Sequence, residues 1–202
     1  MKKIILILLA GLAATQVMAG TTDNLLKIYA VVADKTVLRG SLPELPATII
    51  SQIPKDKTNA VIFIESQLKA NNLDAVRDGT KFVMILPAGW ENSPLAKALD
   101  RLQPPPTTNA VTRSAFPSST IYFQGLRLEK FLEIYSKLRA RTIVRPNSLP
   151  DVFINFQTQT PLTSKELIHA FDVVLLLNGI ATIDDGDKFM KVLPVESAKG
   201  TR

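Results

Sequence analysis

The sequence predicts an α+β protein: two tandem copies of a small β-α-β-β-α-β-β module, the first lacking its opening strand. Three observations carry this. The chain repeats itself, each repeat alternates strand-like and helix-like hydrophobic periodicity, and a proline-rich segment divides the repeats. Leu25-Leu26-Lys27-Ile28-Tyr29 aligns with Phe131-Leu132-Glu133-Ile134-Tyr135 at an offset of 106, and Lys35–Arg39 continues against Arg141–Arg145. After one inserted residue the offset becomes 107, where Asp78–Pro87 meets Asp185–Pro194 with six of ten positions identical. Ordinary residue usage would give roughly one such identity by chance, so duplication is the economical account.

The second copy is the fuller one. Thr120–Gln124 is β-branched and aromatic, and Gly125 interrupts it, which predicts a strand. Leu128, Phe131, Leu132, Tyr135 and Leu138 then recur at helical spacing on one face. Thr142–Val144 and Val152–Gln157 predict two strands parted by a Pro-Asn-Ser-Leu-Pro turn. Thr163-x-x-Glu166 is a capping box opening a second helix, whose apolar face runs through Leu167, Phe171, Val174 and Leu175 to a cap at Asn178-Gly179. Ile180–Ile183, an acidic Asp-Gly turn and Phe189–Val192 predict a closing hairpin.

The first copy repeats this order from Asn24. The expected organisation is a signal peptide over 1–19, copy one over 20–88, a helical and proline-rich linker over 89–119, copy two over 120–195 and a tail over 196–202. Within the linker, Pro94–Leu102 reads as helix and Pro104-Pro105-Pro106 as an extended spacer, so the copies are expected to have separate cores.

The leader sets the compartment. Lys2 and Lys3 precede an apolar run from Ile4 to Leu12, and Val17-Met18-Ala19 is a small-residue cleavage signature. The run falls short of the roughly 20 apolar residues of a spanning helix, so export with cleavage is expected, an uncleaved anchor being the rival. After cleavage no stable membrane span is expected. The chain has no cysteine, which excludes a disulfide framework and a lipid-bearing cysteine. Its net charge is +6; without Lys2 and Lys3, 22 basic residues face 18 acidic ones, a mild +4 that favours acidic partners without demanding nucleic acid.

Candidate sites are few. His169 is the single histidine, and with no cysteine it can build neither a Cys-His pair nor a zinc cluster; it is expected on an exposed helix surface. Asp184, Asp185 and Asp187 cluster as calcium ligands would, but no downstream glutamate follows, and Asp78-Gly79 in copy one uses the same step as a turn. No Gly-x-x-Gly occurs, which removes the KH type of nucleic-acid module. No catalytic, metal or cofactor site is expected. The candidate interaction surface is the strand face Phe153, Asn155, Gln157 and Gln159, alternating away from Ile154 and Phe156, together with Arg141 and Arg145. These two arginines belong to a basic rim with Lys35, Arg39 and Arg139.

Copy two resembles the secretin N-domain, the short module strung along the periplasmic arm of type II secretion gates. The residues that carry the likeness are Phe123, Leu126 and Leu128 before the helix Phe131–Tyr135, then Thr142–Val144, Pro161-Leu162-Thr163 and Asn178-Gly179-Ile180. Arg139-Ala140-Arg141 departs from the glycine turn usual before the second strand, and nothing after Pro194 is long enough for a secretin pore. The resemblance implies a non-enzymatic, exported assembly or adaptor module, in the periplasm or at the outer membrane. Its expected partners are a secretin or another secretion-system component, or further copies of itself as a homo-oligomer. The alternative expectation is a free-standing periplasmic binding protein.

Overall fold

A computed structural model of the protein describes residues 20–102 and 120–200, with side chains to residue 198. The leader expected at 1–19 and the prolines at 104–106 lie outside the described residues. The fold is mixed α+β. In the first half the elements are α1 Thr21–Ala33, β1 Thr36–Arg39, α2 Thr48–Ser51, α3 Lys57–Ala70, β2 Leu73–Asp78 and β3 Phe82–Pro87. A single 3-10 turn at Trp90–Asn92 and the short α4, Pro94–Leu99, follow. The second half has β4 Tyr122–Arg127, α5 Leu128–Arg139, β5 Thr142–Val144, β6 Phe153–Gln157, α6 Ser164–Leu177, β7 Ile180–Asp185 and β8 Phe189–Pro194.

Each half holds a three-stranded sheet of the same plan. The order is β1-β3-β2 in one and β5-β8-β7 in the other, with the first strand parallel to the central one and the hairpin antiparallel. Small details recur at repeat positions. Gly79 and Gly186 turn their hairpins at φ 64° and 68°, where a side chain would be strained. The Tyr29 hydroxyl donates to Glu65, as Tyr135 does to Asp172. Asn71 and Asn178 each donate from the side-chain amide to the carbonyl one turn back, closing α3 and α6. Asp34 and Ala140 each adopt the left-handed conformation, with φ 54° and 51°.

The halves differ where strands need a partner. β4 and β6 pair only with each other, antiparallel and with a bulge between Phe123 and Leu126. Among the described residues the first half opens directly on α1, so a counterpart of β6 would have nothing to pair with. The positions that match β6, 46–50, accordingly form no strand: Pro46 stands where the second half has Phe153 and lacks the amide donor a ladder requires, and Thr48–Ile50 belong to the short helix α2. Among the described residues the first half thus has three strands to the second half's five, where the sequence predicted four.

The separate cores expected from the proline-rich divider are not found. One core lies inside the first half, with Leu25, Tyr29, Ile64 and Leu68 of α1 and α3 against Val37, Val83 and Ile85. The other spans both halves: Leu38, Phe82, Met84 and Leu86 join Phe131, Phe156, Phe171, Val174 and Met190. The physical reason is the sheet β1-β3-β2. Its strands bury alternate side chains to opposite faces, α1 and α3 cover one face, and α6 of the second half covers the other. β3 is consequently buried at five consecutive positions, Phe82 to Leu86, as strands covered on both faces are. Phe131, Phe156 and Phe171 form the aromatic centre, with Phe131 and Phe171 ring centroids 4.6 Å apart.

Candidate functional site

The strand face read from the sequence is placed on β6. Ile154 and Phe156 point into the core, while Phe153 is exposed and Asn155 and Gln157 are half-buried. Phe153 lies under the Arg127 guanidinium, 6.0 Å from the ring centroid. Asn155 Oδ1 accepts from the Gly125 amide at 2.8 Å, securing the bulge of β4. Asn155 and Gln157 line a narrow groove whose far wall is Asp23, Lys27 and Arg39 of α1 and β1. Beyond the strand, the Gln159 amide donates to Thr36 Oγ1 at 3.0 Å. One end of this polar face therefore meets the first half of the same chain, and Phe153 marks the end that meets solvent.

The arginines sit in ion pairs within the second half. Arg141 donates to the Gly186 carbonyl at 2.8 Å and lies 3.1 Å from Asp184. Arg145 pairs with Glu129 at 3.0 Å beside the surface groove of Arg127, Asn147 and Asp151. Elsewhere on the rim, Arg139 bonds Asp184 at 2.5 Å and Arg39 bonds Asp23. Asp185 pairs with Lys191 at 2.9 Å. The acidic cluster at 184–187 thus works as a hairpin turn tied to neighbouring cations.

His169 is a correction. It is buried, with Nε2 2.6 Å from Asp78 Oδ2 and its ring 5.8 Å from that of Phe82. It does lie away from the stripe that α6 turns to its own half, but that second face packs on the first half's sheet. One turn earlier, Lys81 Nζ reaches Glu166 at 2.9 Å and the Pro161 carbonyl at 3.1 Å. Glu166 also completes the predicted capping box, accepting from the Thr163 amide at 2.7 Å while Thr163 Oγ1 accepts from the Glu166 amide. Burial pushes the Glu166 carboxyl up, but the Thr163 amide and Lys81 outweigh it and hold the group below its ordinary range. At the helix end Gly40 lies against the Leu177 carbonyl, where a Cβ would collide.

A second polar cluster closes the second half. Asp172 accepts from the Tyr135 hydroxyl and, at 2.9 Å, from Thr182 Oγ1, with Arg139 at 3.7 Å. Burial raises its carboxyl above the usual range, against the lowering by Tyr135 and Arg139. The same burial and the neighbouring carboxylate push the Tyr135 hydroxyl up. Asp172 borders an open groove of about 740 Å³ between α4 and β7, lined also by Lys97, Arg101, Leu176 and Ile183. Among the described residues no three acidic, histidine or cysteine side chains converge as metal ligands would, and no helix is long and apolar enough to cross a membrane.

Asp78, Lys81 and Asp172 escape sequence reasoning, because each works through a partner remote in the chain. The one signal in reach was the unbroken apolar run Phe82–Leu86, which asks for cover on both faces. No protein-family model matches the chain, and no curated protein matches its sequence.

Proposed function

We propose that the protein is an exported assembly or adaptor module of a type II secretion or pilus-like apparatus. In this reading it is a periplasmic or outer-membrane-associated component, made of two tandem secretin N-domain-like modules, that acts by binding proteins and not by catalysis. The observation that supports it is the recurrence of one plan in both halves: the same strand order, the same hairpin glycine, the same tyrosine-to-acid bond. The ion pairs around His169, Glu166 and Asp172 join elements to one another, the use a scaffold makes of polar groups. Phe153 and Arg127, at the solvent end of the β4–β6 ribbon, offer the aromatic and arginine contacts favoured at protein interfaces. Photo-crosslinking from position 153 in the intact envelope should recover a secretin or another secretion component. Recovery of none of them would sink the assignment.

The groove between α4 and β7 favours a second reading, a free-standing periplasmic binding protein. Its lysine, arginine and apolar lining is of a size that holds a small ligand. Native mass spectrometry of protein taken from the envelope separates the two, since this reading requires a monomer carrying a small molecule.

A further inference from the structure

The packing of the two halves leaves one interface half-used at each end of the molecule. Inside the chain, the outer face of the first sheet presents Thr36, Leu38, Val76, Asp78, Phe82 and Leu86. A stripe of α6 covers it together with β6 and the segment that follows, with Glu166 meeting Lys81, His169 meeting Asp78, Leu177 meeting Gly40 and Gln159 meeting Thr36. At the repeat positions the second sheet presents the same face: Thr142, Val144, Ile183, Asp185, Phe189 and Leu193. Among the described residues no helix covers its β5 and β8 positions, and α4 borders only the β7 edge at Ile183. Val144 and Phe189 are each 46% exposed, against 0% and 1% for their counterparts Leu38 and Phe82.

The complementary half is open at the other end. The stripe of α3 corresponding to the covering stripe of α6 is Asn59, Ile62, Phe63, Ser66 and Ala70, 107 residues earlier. Asn59, Ile62, Ser66 and Ala70 face outward, Ile62 60% exposed where its counterpart His169 is buried, and Phe63 beside them is half-buried against the first half's own core. We infer that the open face of the β5-β8-β7 sheet binds the α3 face of a second copy of this chain, repeating between molecules the helix-on-sheet part of the contact made within one. This rests on the tandem-repeat part of the reading above and is independent of the assignment to secretion.

The surfaces fit in chemistry. Phe189, Val144 and Ile183 supply the apolar floor for Ile62 and Phe63, as Phe82, Leu38 and Val76 do for α6. Lys188 occupies the turn position of Lys81, and the helix start it would approach carries Asp56. Lys191 replaces Met84 in the middle of the face and is tied to Asp185. Covering that pair removes it from water at a cost, so the contact is weaker than the internal one and reversible. The two surfaces differ and lie on different halves, which makes the contact heterologous: each added copy exposes a fresh sheet face, and assembly does not stop at two unless the ring closes.

Sedimentation of the purified protein tests this with no partner present, so its outcome is separate from that of the crosslinking. The wild type should show mass rising with concentration beyond the dimer. Ile62→Lys and Phe189→Lys, both at exposed positions and checked for native far-UV circular dichroism, should each be monomeric. Mixed in equal amounts they should form dimers and nothing larger, because each supplies the surface the other lacks and the remaining faces are blocked. A wild type that stays monomeric overturns the proposal, as does association that survives either substitution or a mixture that stays monomeric.

Discussion

Asp78 and His169 show how one residue's environment sets its role. Both are shielded from water, and each is the other's partner at 2.6 Å. A buried polar group stripped of its partner costs about 1–3 kcal/mol, so the two substitutions at Asp78 should part company. Asp78→Ala leaves the imidazole facing Phe82 without an acceptor and should destabilise the protein by about 2 kcal/mol. Asp78→Asn retains an oxygen that accepts from Nε2–H and should lose less than half as much. Urea unfolding of both variants at neutral pH measures the difference; equal losses would mean that the hydrogen bond is immaterial and only the shape of the side chain matters.

At the scale of elements, α6 serves three neighbours with three faces. Phe171 and Val174 pack into its own half, Glu166, His169 and Leu177 meet the first sheet, and Leu176 lies toward α4. Glu166 links cap and junction, and its lowered carboxyl pKa gives a sign to the pH dependence. A carboxylate whose folded value lies below its unfolded one stabilises the fold fully above the ordinary 4.5 and loses that contribution as pH falls through the folded value. At pH 7 Glu166→Gln should therefore be less stable than wild type by about 1 kcal/mol, the size of a partly exposed ion pair. The gap should shrink on acidification below pH 4.5, since the substituted amide does not titrate. Asp172, whose value is raised, works in the opposite sense, gaining stability as pH falls, and it is common to both proteins. Denaturant midpoints taken across the acid range check this; a gap that stays constant would remove the ionic role of Glu166.

The same scale shows why the elements were legible and their assembly was not. All seven elements of the second half announce themselves locally, since a capping box, an Asp-Gly turn or a helical stripe is written within one stretch of chain. Which face meets which is written across a separation of 91 residues, as between Asp78 and His169. The sequence still carries a trace of it. Phe82–Leu86 is apolar at every position, whereas its repeat, Phe189–Leu193, places Lys191 at the centre. That one lysine separates a sheet covered on both faces from a sheet open on one. The loss of a β6 counterpart has a trace too, in Pro46, which stands at the position of Phe153 and lacks a ladder donor.

For the whole molecule the shared core decides cooperativity. Leu38 belongs to the first half by sequence and to the second half's core by contact, in the cluster that includes Phe171 and Met190. A fully buried leucine cut to alanine costs about 2–5 kcal/mol, depending on how far the surroundings collapse. If the halves were independent, Leu38→Ala would loosen only the first. With β3 sandwiched between two cores, opening the first half strips cover from α6, and the second half should open with it. Hydrogen exchange followed by mass spectrometry should therefore show protection falling in parallel in peptides from β3 and from α6 and β8. Cooperative units open together in this way when apolar contacts bind them. Loss confined to residues 20–88, with α6 and β8 as protected as in wild type, would mean that the junction is a docking contact and not part of one core.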